Sequence, residues 1–107
     1  MTYFLRDKQG NSLYDLDVWE KTYDDEARYF DMQGGVCWGE SAQMLIQLKN
    51  HEQQRFIQDL VSIDEIRGAW WEGPKGIEFN PDKDIHEFVM EMLTPVSIRW
   101  GLAVVTD

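Results

Sequence analysis

Ile85, Phe88, Val89, Met92 and Leu93 recur at the spacing of one helix face, the strictest apolar period in this chain. A helix carrying such a stripe must bury it against a second layer, so the rest of the sequence has to supply one. Asn80-Pro81-Asp82 reads as the opening of this helix, with Pro81 suited to a first turn. Pro95 reads as its end, because proline removes a donor and restricts the residue before it. An earlier helix is expected from Asn50, an N-cap with Gln53 three positions on, and Phe56, Ile57, Leu60 and Val61 form its stripe.

The partner layer reads as a sheet. Thr2 to Arg6, the turn cluster Asp7-Lys8-Gln9-Gly10-Asn11, and Ser12 to Leu16 have the pattern of a hairpin. Ala42, Met44, Ile46 and Leu48 alternate with more polar neighbours, which predicts a half-buried strand. Ile66 to Glu72 reads as a further strand, Gly73-Pro74-Lys75-Gly76 as a tight turn, and Ile77 to Phe79 as the hairpin partner. Ser97 to Val105 reads as a last strand with Ile98, Trp100, Leu102 and Val104 on one side. From about residue 40 to residue 105 the order is β-α-β-β-α-β, the pattern of an α+β ferredoxin-like sandwich. The N-terminal β-hairpin and the segment after it are then additions. The alternative is an α+β meander in which that hairpin belongs to one larger sheet. With 107 residues the chain fits a single domain, 1–107.

Charge narrows the function classes. Twenty acidic side chains face ten basic ones, a formal net charge of −10. Binding to phosphate backbones requires cations that displace condensed counterions, so direct contact with nucleic acid or anionic lipid is disfavoured. Half of the net charge lies in Asp15–Asp31, where seven carboxylates face only Lys21 and Arg28. Val18, Trp19, Tyr23, Ala27 and Phe30 follow a rough helical period through this stretch, and Gln33-Gly34-Gly35 reads as its break. Aromatic rings among carboxylates suit a basic protein partner, since the rings offer area to desolvate and the carboxylates steer and pair cations. The candidate partner-binding residues are therefore Asp15, Asp17, Trp19, Glu20, Tyr23, Asp24, Asp25, Glu26, Tyr29 and Asp31. Trp71 joins them because consecutive Trp70 and Trp71 in a strand face opposite ways.

Chemistry has little purchase. Cys37, the single cysteine, lies in Gly35-Val36-Cys37-Trp38-Gly39, a setting for a small buried hydrophobe. His51 and His86 supply no Ser-His-Asp order, and with one cysteine they make no zinc set. Asp24-Asp25-Glu26 and Asp82-Lys83-Asp84 read as helix N-termini rather than calcium loops. The glycine pairs lack phosphate-loop spacing. No catalytic residue, cofactor or metal is expected. The N-terminus lacks the basic and apolar regions of a signal peptide, and a lone cysteine fits a reducing compartment, so a cytoplasmic location is expected. These observations lead to the expectation of a non-catalytic acidic inhibitor, of the immunity, antitoxin-like or phage-type anti-defence kind. Its partner would be basic, such as a nuclease or nucleic-acid-binding protein. The alternatives are a small-ligand or regulatory module and a small enzyme.

Overall fold

The computed structural model describes residues 1–21, 23, 28–70, 77–79 and 84–107. Its elements run β1 (Thr2–Arg6), β2 (Ser12–Lys21), β3 (Arg28–Val36), α1 (Trp38–Leu45), α2 (Asn50–Trp70), β4 (Ile77–Phe79), α3 (Ile85–Trp100) and β5 (Ala103–Thr106). The strands form one antiparallel sheet in the order β4-β3-β2-β1-β5. This is mixed α+β, but not the ferredoxin-like β-α-β-β-α-β order. The N-terminal hairpin is the centre of the sheet rather than an addition to it.

Alternation along β2 explains why. Tyr14, Leu16 and Val18 are buried, while Asp15, Asp17 and Trp19 between them are half-buried or exposed. A period of two belongs to a strand with one covered face, and the period overrides the helical reading of Asp15–Asp31. On β3, Phe30 and Met32 continue the covered face, opposite Glu20 and Val18. The β1–β2 register slips at Leu5/Arg6. Such a bulge shifts the facing of a strand, and Leu13 and Tyr14 are both buried just beyond it.

Gly34 lies inside β3 rather than ending a segment. A β-carbon there would meet the Tyr14 hydroxyl at 2.6 Å, the Asp15 carbonyl oxygen at 2.8 Å and Leu16 Cδ1 at 3.0 Å. Tyr14 thus occupies the space over a glycine on the neighbouring strand, the usual reason for glycine within a ladder.

Among the described residues the helices cover one face of the sheet. On α2, Phe56, Leu60 and Ile63 are buried at helical spacing, each contributing about 1.5–3 kcal/mol relative to exposure. The expected strand over Ile66–Glu72 is a correction: residues 66–70 are the last turns of α2, whose inward stripe continues through Ile63. Trp71, Glu72 and the Gly73–Gly76 turn lie outside the described residues. The β4 strand does form over Ile77–Phe79, but it pairs with Arg28–Phe30 of β3.

The 42–48 stretch is also helical at its start. Ser41, Met44, Leu45 and Leu48, at helical spacing, are turned inward, whereas Ile46 is 82% exposed. Both periods can be read there, and the helical one buries more. The Asn50–Gln53 capping box is replaced by another arrangement. The Glu52 carboxylate accepts the Lys49 N–H at 3.2 Å, and Gln53 Nε2 donates to the Leu45 and Leu48 carbonyls at 3.1 and 2.9 Å. Gln53 therefore adds a second donor to the Leu45 carbonyl, which also accepts the Leu48 N–H at 3.0 Å, and pairs the Leu48 carbonyl just beyond α1.

The α3 stripe packs as its spacing dictates: Val89, Met92 and Leu93 are buried, and Ile85 and Phe88 lie against the core. Asp84 caps the helix by accepting the His86 N–H at 2.9 Å; Asn80, Pro81 and Asp82 fall outside the described residues. Pro95 does not end α3. Burial of Val96 and Ser97 beyond it holds the helix on to Trp100. There Gly101 takes a left-handed conformation, φ 62° and ψ 34°, and the Leu102 N–H reaches the Ser97 carbonyl at 2.8 Å. That reversal feeds a short β5, so residues 97–100 are helix rather than the expected strand.

Two outcomes test this packing. Gly34→Ala is expected to lower unfolding free energy by about 1–3 kcal/mol, read in urea melts, because backbone as well as side chain blocks the new methyl. The second concerns Tyr14, whose hydroxyl donates to Asp64 Oδ1 at 2.9 Å. Burial, followed by the Asp64 charge, raises its phenol far above the ordinary value. The unfolded chain then releases this proton first, so stability is full below about pH 10 and falls as pH rises above it. Tyr14→Phe is expected to cost about 1–2 kcal/mol at neutral pH and to flatten that alkaline decline.

Candidate functional site

The sheet face away from the helices carries Thr2 and Phe4 of β1, Asp15, Asp17, Trp19 and Lys21 of β2, and Tyr29, Asp31 and Gln33 of β3. Val105 of β5 adds to it. Their register is fixed by the ladder: Phe4 lies opposite Asp15 and Val105, Thr2 opposite Asp17, Asp17 opposite Gln33, and Trp19 opposite Asp31. Strand alternation alone places these side chains together.

Three carboxylates, Asp15, Asp17 and Asp107, stand on this face, and Asp17 also meets the Met1 ammonium at 3.9 Å. Thr2 links two of them, its Oγ1 donating to Asp17 Oδ1 at 3.1 Å and its N–H to Asp107 Oδ1 at 2.8 Å. That backbone bond is the main reason the Asp107 carboxyl is held below its ordinary value. Asp15 accepts the Ser12 hydroxyl. Trp19 is 39% exposed. The Arg6 guanidinium lies over the Phe4 ring, 4.6 Å from its centroid, a cation–π contact.

Asp31 has a different role. It is 4% exposed; Oδ1 accepts the Met32 N–H at 3.0 Å and Oδ2 meets Lys21 Nζ at 2.7 Å. The hydrogen bond to Asp31 is what chiefly raises the Lys21 ammonium above its ordinary value. Both groups are thereby engaged with each other. Glu20 falls on the opposite alternation, exposed, and pairs with Arg28 at 3.2 Å. Tyr29 is half-buried, with Tyr23 packed edge-on at 5.3 Å. Asp24, Asp25, Glu26 and Trp71 lie outside the described residues. Thr2, Phe4, Gln33, Val105 and Asp107 complete the face and were not singled out by sequence. The alternation of β1 could have found Thr2 and Phe4, whereas Val105 and Asp107 need the β1–β5 pairing.

Cys37 does not meet an imidazole. Its Sγ lies 4.0 Å from Ser12 Oγ, and burial, with the Asp15 and Glu40 charges added, pushes the thiol up. His86 Nδ1 is 3.0 Å from the Tyr3 hydroxyl, and His51 is exposed at the start of α2. Among the described residues no three His, Cys, Asp or Glu side chains converge as a metal set, and no helix is long and apolar enough to cross a membrane.

The thiol has a measurable consequence. The pH-rate profile of Cys37 alkylation by iodoacetamide is expected to have its midpoint above that of free cysteine, since the thiolate is the nucleophile. A midpoint below that of free cysteine would contradict the placement of Asp15 and Glu40. Comparisons with family models, with curated proteins and with solved structures each give no match to this chain.

Proposed function

We propose that this chain is a non-catalytic acidic inhibitor that blocks a basic protein partner, such as a nuclease or a nucleic-acid-binding protein. One observation supports this reading above the others: a sheet covered by helices on one side only, with Asp15, Asp17, Asp107 and Trp19 on the other. Carboxylates flank an exposed indole and the Phe4–Val105 pair, with the Arg6 guanidinium laid over Phe4, so an acidic surround encloses a centre that is apolar apart from that one cation. Such a surface suits a partner that presents arginine or lysine around an apolar patch.

Electrostatics assigns the two parts different work. The net charge of −10 raises the rate of encounter with a cationic surface, and this effect fades as salt shortens the screening length. Once contact is made, Trp19 supplies the desolvated area that slows dissociation. An inhibitor acting in this way needs a stable scaffold and a complementary face, and no proton transfer or bond cleavage. A basic target that normally holds a phosphate backbone would have its groove filled by carboxylates instead.

The test uses association kinetics with a basic partner recovered on the immobilised chain at low ionic strength. Asp15→Asn, Asp17→Asn and Asp107→Asn together are expected to slow association about tenfold in low salt and to have little effect in high salt. Trp19→Ala is expected to speed dissociation instead. An association rate unchanged by the three neutral substitutions at low salt would overturn the proposal.

A further inference from the structure

At the sheet end opposite Trp19, the β1–β2 turn, the end of α1 and the reversal after α3 enclose a cleft of about 290 Å³. Trp100 forms one wall. Its indole is fixed against α2: Nε1 donates to Asp59 Oδ2 at 2.7 Å, and the ring packs edge-to-face with Phe56 at 5.1 Å. A ring held by a hydrogen bond and a packing contact presents the same surface before and after a ligand arrives, which lowers the ordering cost of binding.

The polar groups around it are free. Gln43 and Gln47, four positions apart, line the cleft together with Lys8 and Gln9. None of these four side chains is hydrogen-bonded or ion-paired among the described residues, unlike Asp7. The Asp7 carboxylate accepts the Gln9 and Asn11 N–H groups, both at 2.9 Å, and Asn11 Nδ2 at 3.2 Å. Its charge is thus spent on the turn and is opposed by neighbouring Lys8.

Charge then selects the ligand class. The lining contains one anion and one cation, and the surrounding protein carries −10, which repels anions at long range. The same field draws cations toward the protein, but within the cleft a cation would meet Lys8, while the Asp7 carboxylate is already engaged by the Gln9 and Asn11 N–H groups. What remains is a neutral molecule able to exchange donors and acceptors with two carboxamides, each of which offers both, while laying an apolar face on an indole. We infer that this cleft binds a neutral saccharide unit, with its C–H face on Trp100 and its hydroxyls on Gln43 and Gln47. The cleft is near the lower end of ligand-pocket sizes, about 300 Å³, so one sugar ring fills it.

Saturation-transfer NMR on the full chain tests this, with methyl α-glucoside, methyl α-mannoside and N-acetylglucosamine at millimolar concentration. Putrescine and glucose 6-phosphate serve as the cationic and anionic arms. Transfer is expected from at least one neutral sugar, strongest at ring C–H protons. The exposed pair Gln43→Ala and Gln47→Ala is expected to weaken binding about tenfold, the loss of two modest hydrogen bonds. Asp17→Asn, on the open sheet face, is expected to leave it unchanged. The inference is overturned by silence from all three neutral sugars, by transfer confined to the amine or the phosphate, or by transfer that the double variant leaves intact.

Discussion

Tyr14 ties the sheet to its helical layer. Its ring is fully buried, it fills the space above Gly34 on the next strand, and its hydroxyl reaches Asp64 on α2. Asp64 is held in turn by Arg67 at 3.1 Å. A buried phenol without this acceptor would leave an unsatisfied donor in the core, so the position of α2 over β2 and β3 is specified rather than merely favoured. Everything else about the sidedness of the molecule follows. With Tyr14 pointed at α2, Leu16 and Val18 must point the same way, and Asp15, Asp17 and Trp19 must point away from it.

The acidic character acquires structure through this constraint. Read as a helix, the Asp15–Asp31 segment would scatter its carboxylates around a cylinder. Read as two paired strands, it sorts them. Asp15 and Asp17 stand on the open face with Asp107 joined through Thr2, Asp31 is sealed against Lys21 and the Met32 N–H, and Glu20 faces the other way beside Arg28. Of the carboxylates in this stretch that the structure describes, two remain on the surface on which the proposed function rests. Asp31 has a structural task instead. It accepts the N–H of Met32, and so satisfies a backbone donor on a residue that is itself buried.

Much of the scaffold was legible in the sequence. The turn residues Asp7 to Asn11 marked the first hairpin, the stripe Ile85–Leu93 marked α3, and the α+β class followed from them. The failures have physical causes. In 41–48, apolar residues satisfy both a period of two and a period of 3.6, and it takes the burial of Ser41 and the exposure of Ile46 to separate them. Gly34 reads as a break unless it is known that a tyrosine hydroxyl lies across from it. Pro95 stops an isolated helix, but here Val96 and Ser97 beyond it are buried and the Gly101 reversal follows them. Of the candidate site, Asp15, Asp17 and Trp19 were visible as an acidic, aromatic stretch. Their companions Thr2, Phe4, Val105 and Asp107 come from strands distant in sequence, and only pairing brings them together.

The central claim is that β2 has one face sealed by helices and one face open, with its carboxylates and Trp19 on the open side. Relaxation of side-chain protons by a neutral paramagnetic cosolvent tests this residue by residue. Strong enhancement is predicted at Asp15, Asp17 and the Trp19 ring, and little at Tyr14, Leu16 and Val18, an alternation with a period of two. Equal protection on both faces, or a period near 3.6 through this stretch, would contradict it.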